Sequence, residues 1–278
     1  MPVLESELGG FAACLKSDGR SSGTVGKYLH DSAEFAAWLG DRQLTGETAA
    51  GWREHLLERK YAPVTVNSML SAVNRLLKYL GREDCKIRSL RIQRKAFREQ
   101  NRELTRGEYQ RLLDTAEETG RERLGLLMET ICATGIRVSE VRYITVEAAR
   151  RGRAEVSLKG KIRTILLPAK LCRKLVKYAR KNKTVSGEIF LTRNGTPLSR
   201  KQIWREMKQL CARAGVEASK VFPHNLRHLF ATTFYKVCRD IVKLADVLGH
   251  SSINTTRIYL MTTGAEHVRQ LEKLGLVT

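Results

Sequence analysis

Apolar residues recur at spacings of three and four along most of the chain, the periodicity of helices with one buried face. Val25, Tyr28, Leu29, Phe35, Ala36 and Leu39 form one such stripe behind Ser21-Ser22, and Trp52, His55, Leu56 and Leu57 form a second behind Thr45. Pro63 opens a third, in which Val66, Met69, Leu70, Val73, Leu76, Leu77 and Leu80 lead to a stop at Gly81. Residues 1–86 thus read as a bundle of four short helices with no strand signal. Thr105 and Glu108 have the spacing of a capping box. They open a helix through Tyr109, Leu112, Leu113 and Ala116, followed by a strongly apolar helix from Arg123 to Cys132. Gly135 breaks that helix, and Arg137 is expected to start another. The period then changes from about four to two. Ala154–Leu158 and Ile162–Leu167 are β-rich runs around Lys159-Gly160-Lys161, which predicts a hairpin. A helix is expected after Pro168, running to Lys181, and a short strand at Glu188–Leu191. Ser199 caps a further helix, Arg200–Ala214, carrying Ile203, Trp204, Met207, Leu210 and Cys211. A final helix, Ala265–Leu274, carries Val268, Leu271 and Leu274.

The densest pattern lies between Val221 and Leu260. Pro223 suits the first turn of a helix, where no backbone donor is needed. Leu226, Leu229, Phe230, Thr233 and Phe234 supply its buried face, and His224 and Arg227, three apart, share another. A second helix spans Asp240–Leu248, with Ile241, Leu244, Ala245 and Leu248 inward. Gly249 ends it through the left-handed backbone that glycine tolerates, so His250 is delivered by a sharp turn. Ser251 or Ser252 caps a short helix that carries Tyr259.

Charge changes the picture. The 278 residues carry a net charge of +21, with a pI near 10.0, which points to a polyanionic partner. Residues 1–86 hold 11 Lys+Arg against 11 Asp+Glu, so the whole excess falls on the remainder. Two halves so different in charge support a division into domains. The arginine-rich stretch 87–103 repels itself and reads as an extended linker that lies on phosphates. Six cysteines show no C-x-x-C pair and are expected as reduced, buried thiols, a cytoplasmic signature. No apolar run has membrane-spanning length. No P-loop is present. His224 and His228 have metal-ligand spacing on a helix, but no third ligand accompanies them, so no metal is expected.

The candidate chemistry is attack of a phenol on a phosphodiester. The phenol must lose a proton, the phosphorane needs its added charge matched, and the leaving oxygen must be protonated. Arginine forks suit the second task and histidines the exchange of protons. Covalent capture conserves the energy of the broken ester, so no cofactor is required.

The order H-x-x-R at His224–Arg227, then L-G-H-S-S at Leu248–Ser252, then Tyr259 nine residues after His250, resembles the C-terminal signature of the tyrosine recombinases, the lambda-integrase superfamily. Ala133–Glu140 resembles that family's first arginine motif, and Glu155–Leu167 its lysine-bearing hairpin. The resemblance implies a mainly α fold with a small β-hairpin. It would comprise a helical, SAM-like core-binding domain over residues 1–86, a basic linker at 87–103, and a mixed α+β catalytic domain of the DNA breaking-rejoining type at 104–278, ending in a tail helix. It implies Arg137, Lys159, His224, Arg227, His250 and Tyr259 as catalytic residues, with Glu140 supporting Arg137. The hairpin leaves both Lys159 and Lys161 open as general acid, and the family pattern favours Lys159. Candidate DNA contacts are Lys27, Arg75, Lys78, Arg91, Arg94, Lys161, Arg163, Lys201 and Arg205. The implied function is site-specific recombination on double-stranded DNA with paired half-sites, through a 3′-phosphotyrosyl intermediate. The enzyme would act as a homotetramer, alone or with a related recombinase or accessory proteins. A topoisomerase of the same chemistry and a catalytically silent DNA-binding regulator are the alternatives. The sequence leaves open whether the tail helix docks in its own subunit or a neighbour.

Overall fold

A computed structural model describes residues 3–93, 103–158, 161–259, 268–269 and 271–275, with the side chains of 3–6, 158 and 161 left aside. The fold is mostly helical with one two-stranded antiparallel sheet. The chain divides into two compact units, Met1–Lys95 and Ala96–Thr278.

The first unit contains α1 (Val3–Ser17), α2 (Ser22–Leu39), α3 (Gly46–Glu58) and α4 (Pro63–Tyr79). Ser21 caps α2, and Thr45 and Thr48 cap each other at the start of α3, so the polar residues that the pattern placed before each stripe supply the orphan N–H groups with acceptors. Phe11, Leu15, Phe35, Trp52, Leu56, Leu70, Leu76 and Leu77 meet in one core. The expected linker does not begin at residue 87. Ile87 is buried in this core, and two asparagine amides on α4 hold the chain beyond it. Asn74 exchanges hydrogen bonds of 2.8 and 2.9 Å with the backbone of Ile87, and Asn67 does the same with Leu90 at 2.8 and 3.0 Å.

The second unit is built around α6 (Glu122–Thr134), which packs against α5 (Arg106–Glu118) and α10 (Pro223–Cys238). The remaining helices are α7 (Val146–Arg151), α8 (Ala169–Lys181), α9 (Arg200–Ala214), α11 (Ile241–Leu248) and α12 (Ile253–Arg257). The hairpin forms as the alternation predicts. β1 (Arg153–Leu158) pairs with β2 (Lys161–Leu166), with Ala154 opposite Ile165 and Val156 opposite Arg163. Ala154, Val156 and Ile165 are buried, so this face of the hairpin turns inward.

Several expectations change. Arg137 precedes a 3₁₀ helix, Val138–Tyr143, instead of an α-helix. Glu188–Leu191 forms only isolated bridges, Thr145 with Glu188 and Leu191 with Pro197. Trp204 lies on the outer side of α9, half exposed. Among the cysteines, Cys85 and Cys211 are buried, Cys14, Cys132 and Cys172 are half-buried and Cys238 is exposed. Lys159, Arg94 and residues 265–267 and 270 of the Ala265–Leu274 segment lie outside the described residues.

One glycine fixes how α6 meets α10. Gly135 ends α6 with φ +65°, and a Cβ there would lie 2.4 Å from Phe230 Cδ1. Gly135→Ala combines a strained backbone with a steric collision and is expected to lower stability by about 2–4 kcal/mol, read as a lower urea midpoint for unfolding of this unit.

Candidate active site

Pro223 starts α10, and the helix then carries His224, Arg227 and His228 toward the ends of two other helices. His224 is exposed, whereas Arg227 and His228 are buried. The Arg227 side chain, in a residue only 2% exposed, donates to three acceptors. These are the Gly135 carbonyl at the end of α6, the Leu248 carbonyl at 2.8 Å at the end of α11, and His250 Nε2 at 2.8 Å. Carbonyls at a helix C-terminus lack intrahelical donors, and the macrodipole there favours a cation. Burial, with repulsion from Arg137, lowers the pKa of Arg227 from its usual value, while a hydrogen bond with Tyr259 opposes the shift. Arginine nonetheless stays protonated. No carboxylate among the described residues pairs with it.

The contact with His250 settles a tautomer. A guanidinium can only donate, so His250 Nε2 must accept. The ring proton then sits on Nδ1, which donates to Thr256 Oγ1 at 2.8 Å. Burial, and after it the charges of Arg227, Arg137 and Arg163 and the neighbouring His224, pull the His250 pKa down to about 4, so the ring is neutral at pH 7. Both ring nitrogens are therefore engaged. The expectation that His250 donates to a phosphate needs Arg227 to release Nε2 and that nitrogen to gain a proton first.

Tyr259 follows α12, two residues past its end, and is 4% exposed. It packs with Ala231, Leu244 and Leu248. Its ring centroid lies 5.9 Å from His250, with the planes 9° apart, 5.9 Å from His224 and 5.2 Å from His228. The Tyr259 N–H donates to the Thr256 carbonyl at 3.0 Å, so Thr256 anchors both the imidazole and the backbone of the tyrosine.

Arg137 and Glu140 form the expected pair. The Glu140 carboxylate accepts from the Arg137 N–H at 2.7 Å and from Arg137 Nη1 at 3.0 Å. Arg163 Nη2 adds a bond of 2.5 Å to the same carboxylate. Burial pushes the Glu140 pKa up, but the Arg137 backbone N–H and the two guanidinium groups outweigh it and hold it below the ordinary carboxylate value. Arg163 was expected to contact the DNA backbone. Its side chain is instead largely buried, because residue 163 falls on the inward face of β2.

Arg94 and the Lys161 side chain lie outside the described residues, and the other candidate contacts reach the surface. Lys27 pairs with Asp31, Arg75 with Asp18 and Lys78 with Glu83, while Arg91, Lys201 and Arg205 are exposed. Two buried residues of the cluster carried weak signals in the sequence. His228 is a helical neighbour of His224, four residues on, a spacing that by itself suggests only a zinc ligand. Thr256 has no distinguishing motif.

The chain's similarities agree with this architecture. Residues 102–265 match the family model described as "Phage integrase family", and residues 8–84 match "Phage integrase, N-terminal SAM-like domain". The chain belongs to the phage integrase family. It is 28% identical over 274 residues to tyrosine recombinase XerD of Vibrio cholerae, covering 91% of this chain and 90% of the relative. It is 29% identical over 287 residues to tyrosine recombinase XerA of Pyrococcus furiosus, covering 99% and 96%. A lambda integrase tetramer bound to a Holliday junction shares the fold, with a TM-score of 0.72 and 20% identity, over 92% of this chain and 76% of that one. The protein is a site-specific recombinase of the tyrosine type. No described helix is long and apolar enough to cross a membrane.

Thr256 offers a check on the tautomer. Thr256→Val keeps the side-chain shape but leaves the His250 Nδ1–H without its acceptor in a buried setting. The expected cost is about 1–3 kcal/mol of stability, measured by urea unfolding.

Proposed function

We propose that Tyr259 cuts DNA by attacking a backbone phosphorus, giving a 3′-phosphotyrosyl enzyme and a free 5′-hydroxyl. The P–O5′ bond breaks as the P–O bond to tyrosine forms. The Tyr259 proton leaves through His224, which is exposed beside the phenol, and Lys159 protonates the departing 5′-oxygen. Arg137 and Arg227 hold the non-bridging oxygens, with His224 hydrogen-bonded to the same phosphate and His250 joining it once Arg227 releases Nε2 and that nitrogen takes up a proton from solvent. A 5′-hydroxyl from the partner duplex then attacks the phosphotyrosine, rejoining the strands and restoring the phenol.

The observation that carries this reading is the buried Arg227, a cation beside Tyr259 with two carbonyls and a neutral imidazole as its partners. A buried charge without a counter-charge is costly, and a phosphate diester supplies the missing anion with the geometry that a guanidinium fork prefers. The neutral His250 adds no second positive charge to that cost before DNA binds.

Lys27, Arg75, Lys78, Arg91, Arg94, Lys161, Lys201 and Arg205 are proposed to contact DNA phosphates. Their contribution would be positioning, not base readout. The N-terminal helical unit is assigned to core-site DNA and residues 104–278 to catalysis. Two duplexes with two half-sites each call for four subunits, in line with the tetrameric lambda integrase. Val268, Leu271 and Leu274 are exposed, an apolar strip suited to docking on a neighbouring subunit. Action in the cytoplasm completes the reading.

The test is incubation with nicked suicide duplexes that carry paired half-sites. Wild-type protein is expected to form a covalent adduct resistant to denaturation, and Tyr259→Phe none. An equal adduct with Tyr259→Phe would assign the nucleophile elsewhere.

A further inference from the structure

Arg163 is the one arginine of the cluster whose sequence reading and position disagree, and it touches three parts of the site. It lies on β2, which starts two residues after Lys159 in the sequence. Its Nη2 donates to Glu140 Oε2 at 2.5 Å, and its Nη1 donates to the Val247 carbonyl at 2.9 Å. Val247 and Leu248 are the last residues of α11, so Arg163 and Arg227 satisfy adjacent orphan carbonyls immediately before the turn that presents His250. Gly249 makes room for this approach. A Cβ on it would lie 2.4 Å from Arg163 Cδ and 2.9 Å from Nε. The Nε itself is buried without a hydrogen-bond partner, so the side chain is held by its two terminal nitrogens and by packing.

The contact with Glu140 has a consequence for Arg137. Glu140 Oε2 accepts from both Arg163 Nη2 and the Arg137 backbone N–H, whereas only Oε1 accepts from the Arg137 guanidinium. An arginine facing a free carboxylate prefers the two-point fork. Here the second oxygen is already taken, so Arg137 is bound through Nη1 alone, and its side chain remains 41% exposed.

We propose that Arg163 is a positioning residue: by occupying Glu140 Oε2 and the Val247 carbonyl together, it keeps Arg137 from folding fully onto Glu140 and fixes the end of α11 that delivers His250. Arg137 then keeps donors for the scissile phosphate. This rests on the phosphate-clamping reading of Arg137 and goes beyond it by assigning the group that holds the clamp open.

The test uses the full chain and the same suicide duplex, with adduct formation and duplex affinity measured separately. Arg163→Met is expected to slow adduct formation about 10- to 100-fold, the usual size for partners that orient a reacting group, with duplex affinity little changed. Combined with Glu140→Gln it is expected to add little to the loss from Glu140→Gln alone, because both act on one arrangement. A wild-type rate for Arg163→Met, or losses that simply multiply with Glu140→Gln, would overturn the proposal. Arg163→Lys serves if the methionine variant fails to fold. One ammonium cannot bridge Glu140 and Val247 as a fork does, so its rate is expected to stay below wild type, and full recovery would overturn the bridging role. Absence of an adduct with wild-type protein would refute the assignment of Tyr259 instead. Arg163 is then judged by NMR titration with inorganic phosphate, where Arg163→Met is expected to bind more weakly than wild type and equal binding would overturn the proposal.

Discussion

The second unit of this protein is organised around a buried guanidinium. Arg227 draws together the end of α6 through the Gly135 carbonyl, the end of α11 through the Leu248 carbonyl, and the turn beyond α11 through His250. Each partner is neutral. The arrangement satisfies the donors without cancelling the charge, which distinguishes a site prepared for an anion from a structural ion pair. The other arginines repeat the theme with a difference. Arg137 and Arg163 share one carboxylate, Glu140, so this trio also keeps a net positive charge.

That charge has consequences along the chain. Added to the burial of the ring, which is the larger cause, it holds His250 neutral and, through the one-way donation of the guanidinium, selects the Nδ1–H tautomer. Thr256 receives that proton and also binds the Tyr259 backbone, so the placement of the phenol depends on the same network. Gly135 and Gly249 sit where two of the helices end, and side chains crowd both positions: Phe230 over the first and Arg163 over the second. Left-handed glycines there do more than stop helices. They let aromatic and cationic groups approach the backbone closely enough to build the cluster.

Much of this was legible in the sequence. Pro223, Gly249 and Ser252 announced the helix starts and stops that present His224, Arg227 and His250, and local rules of capping decided them. The β-hairpin followed from a change of period. Readings that depended on tertiary surroundings were less accurate. Arg163 reads as a DNA-backbone contact from its place beside the Lys159-Gly160-Lys161 turn, but the parity of the strand outweighs that proximity. Ala154, Val156 and Ile165 already mark the inward face, and residue 163 has the same parity as 165. Ile87 and Leu90 looked like linker because charge dominates that stretch, yet two asparagines on α4 recognise their backbone, a contact that periodicity does not encode. Thr256 and His228 carry no motif of their own, and only the folded chain places them against His250 and Tyr259.

Burial, together with the neighbouring buried cation, keeps the His250 imidazole neutral and proton-accepting until a phosphate arrives, and the rest of the site depends on this. Nitrogen-15 NMR of His250 in the DNA-free protein addresses this directly. The prediction is a proton on Nδ1, a bare Nε2, and no titration between pH 8 and 5, with the ring charging only near pH 4. A proton on Nε2, or titration near the ordinary histidine value of about 6.5, would contradict it.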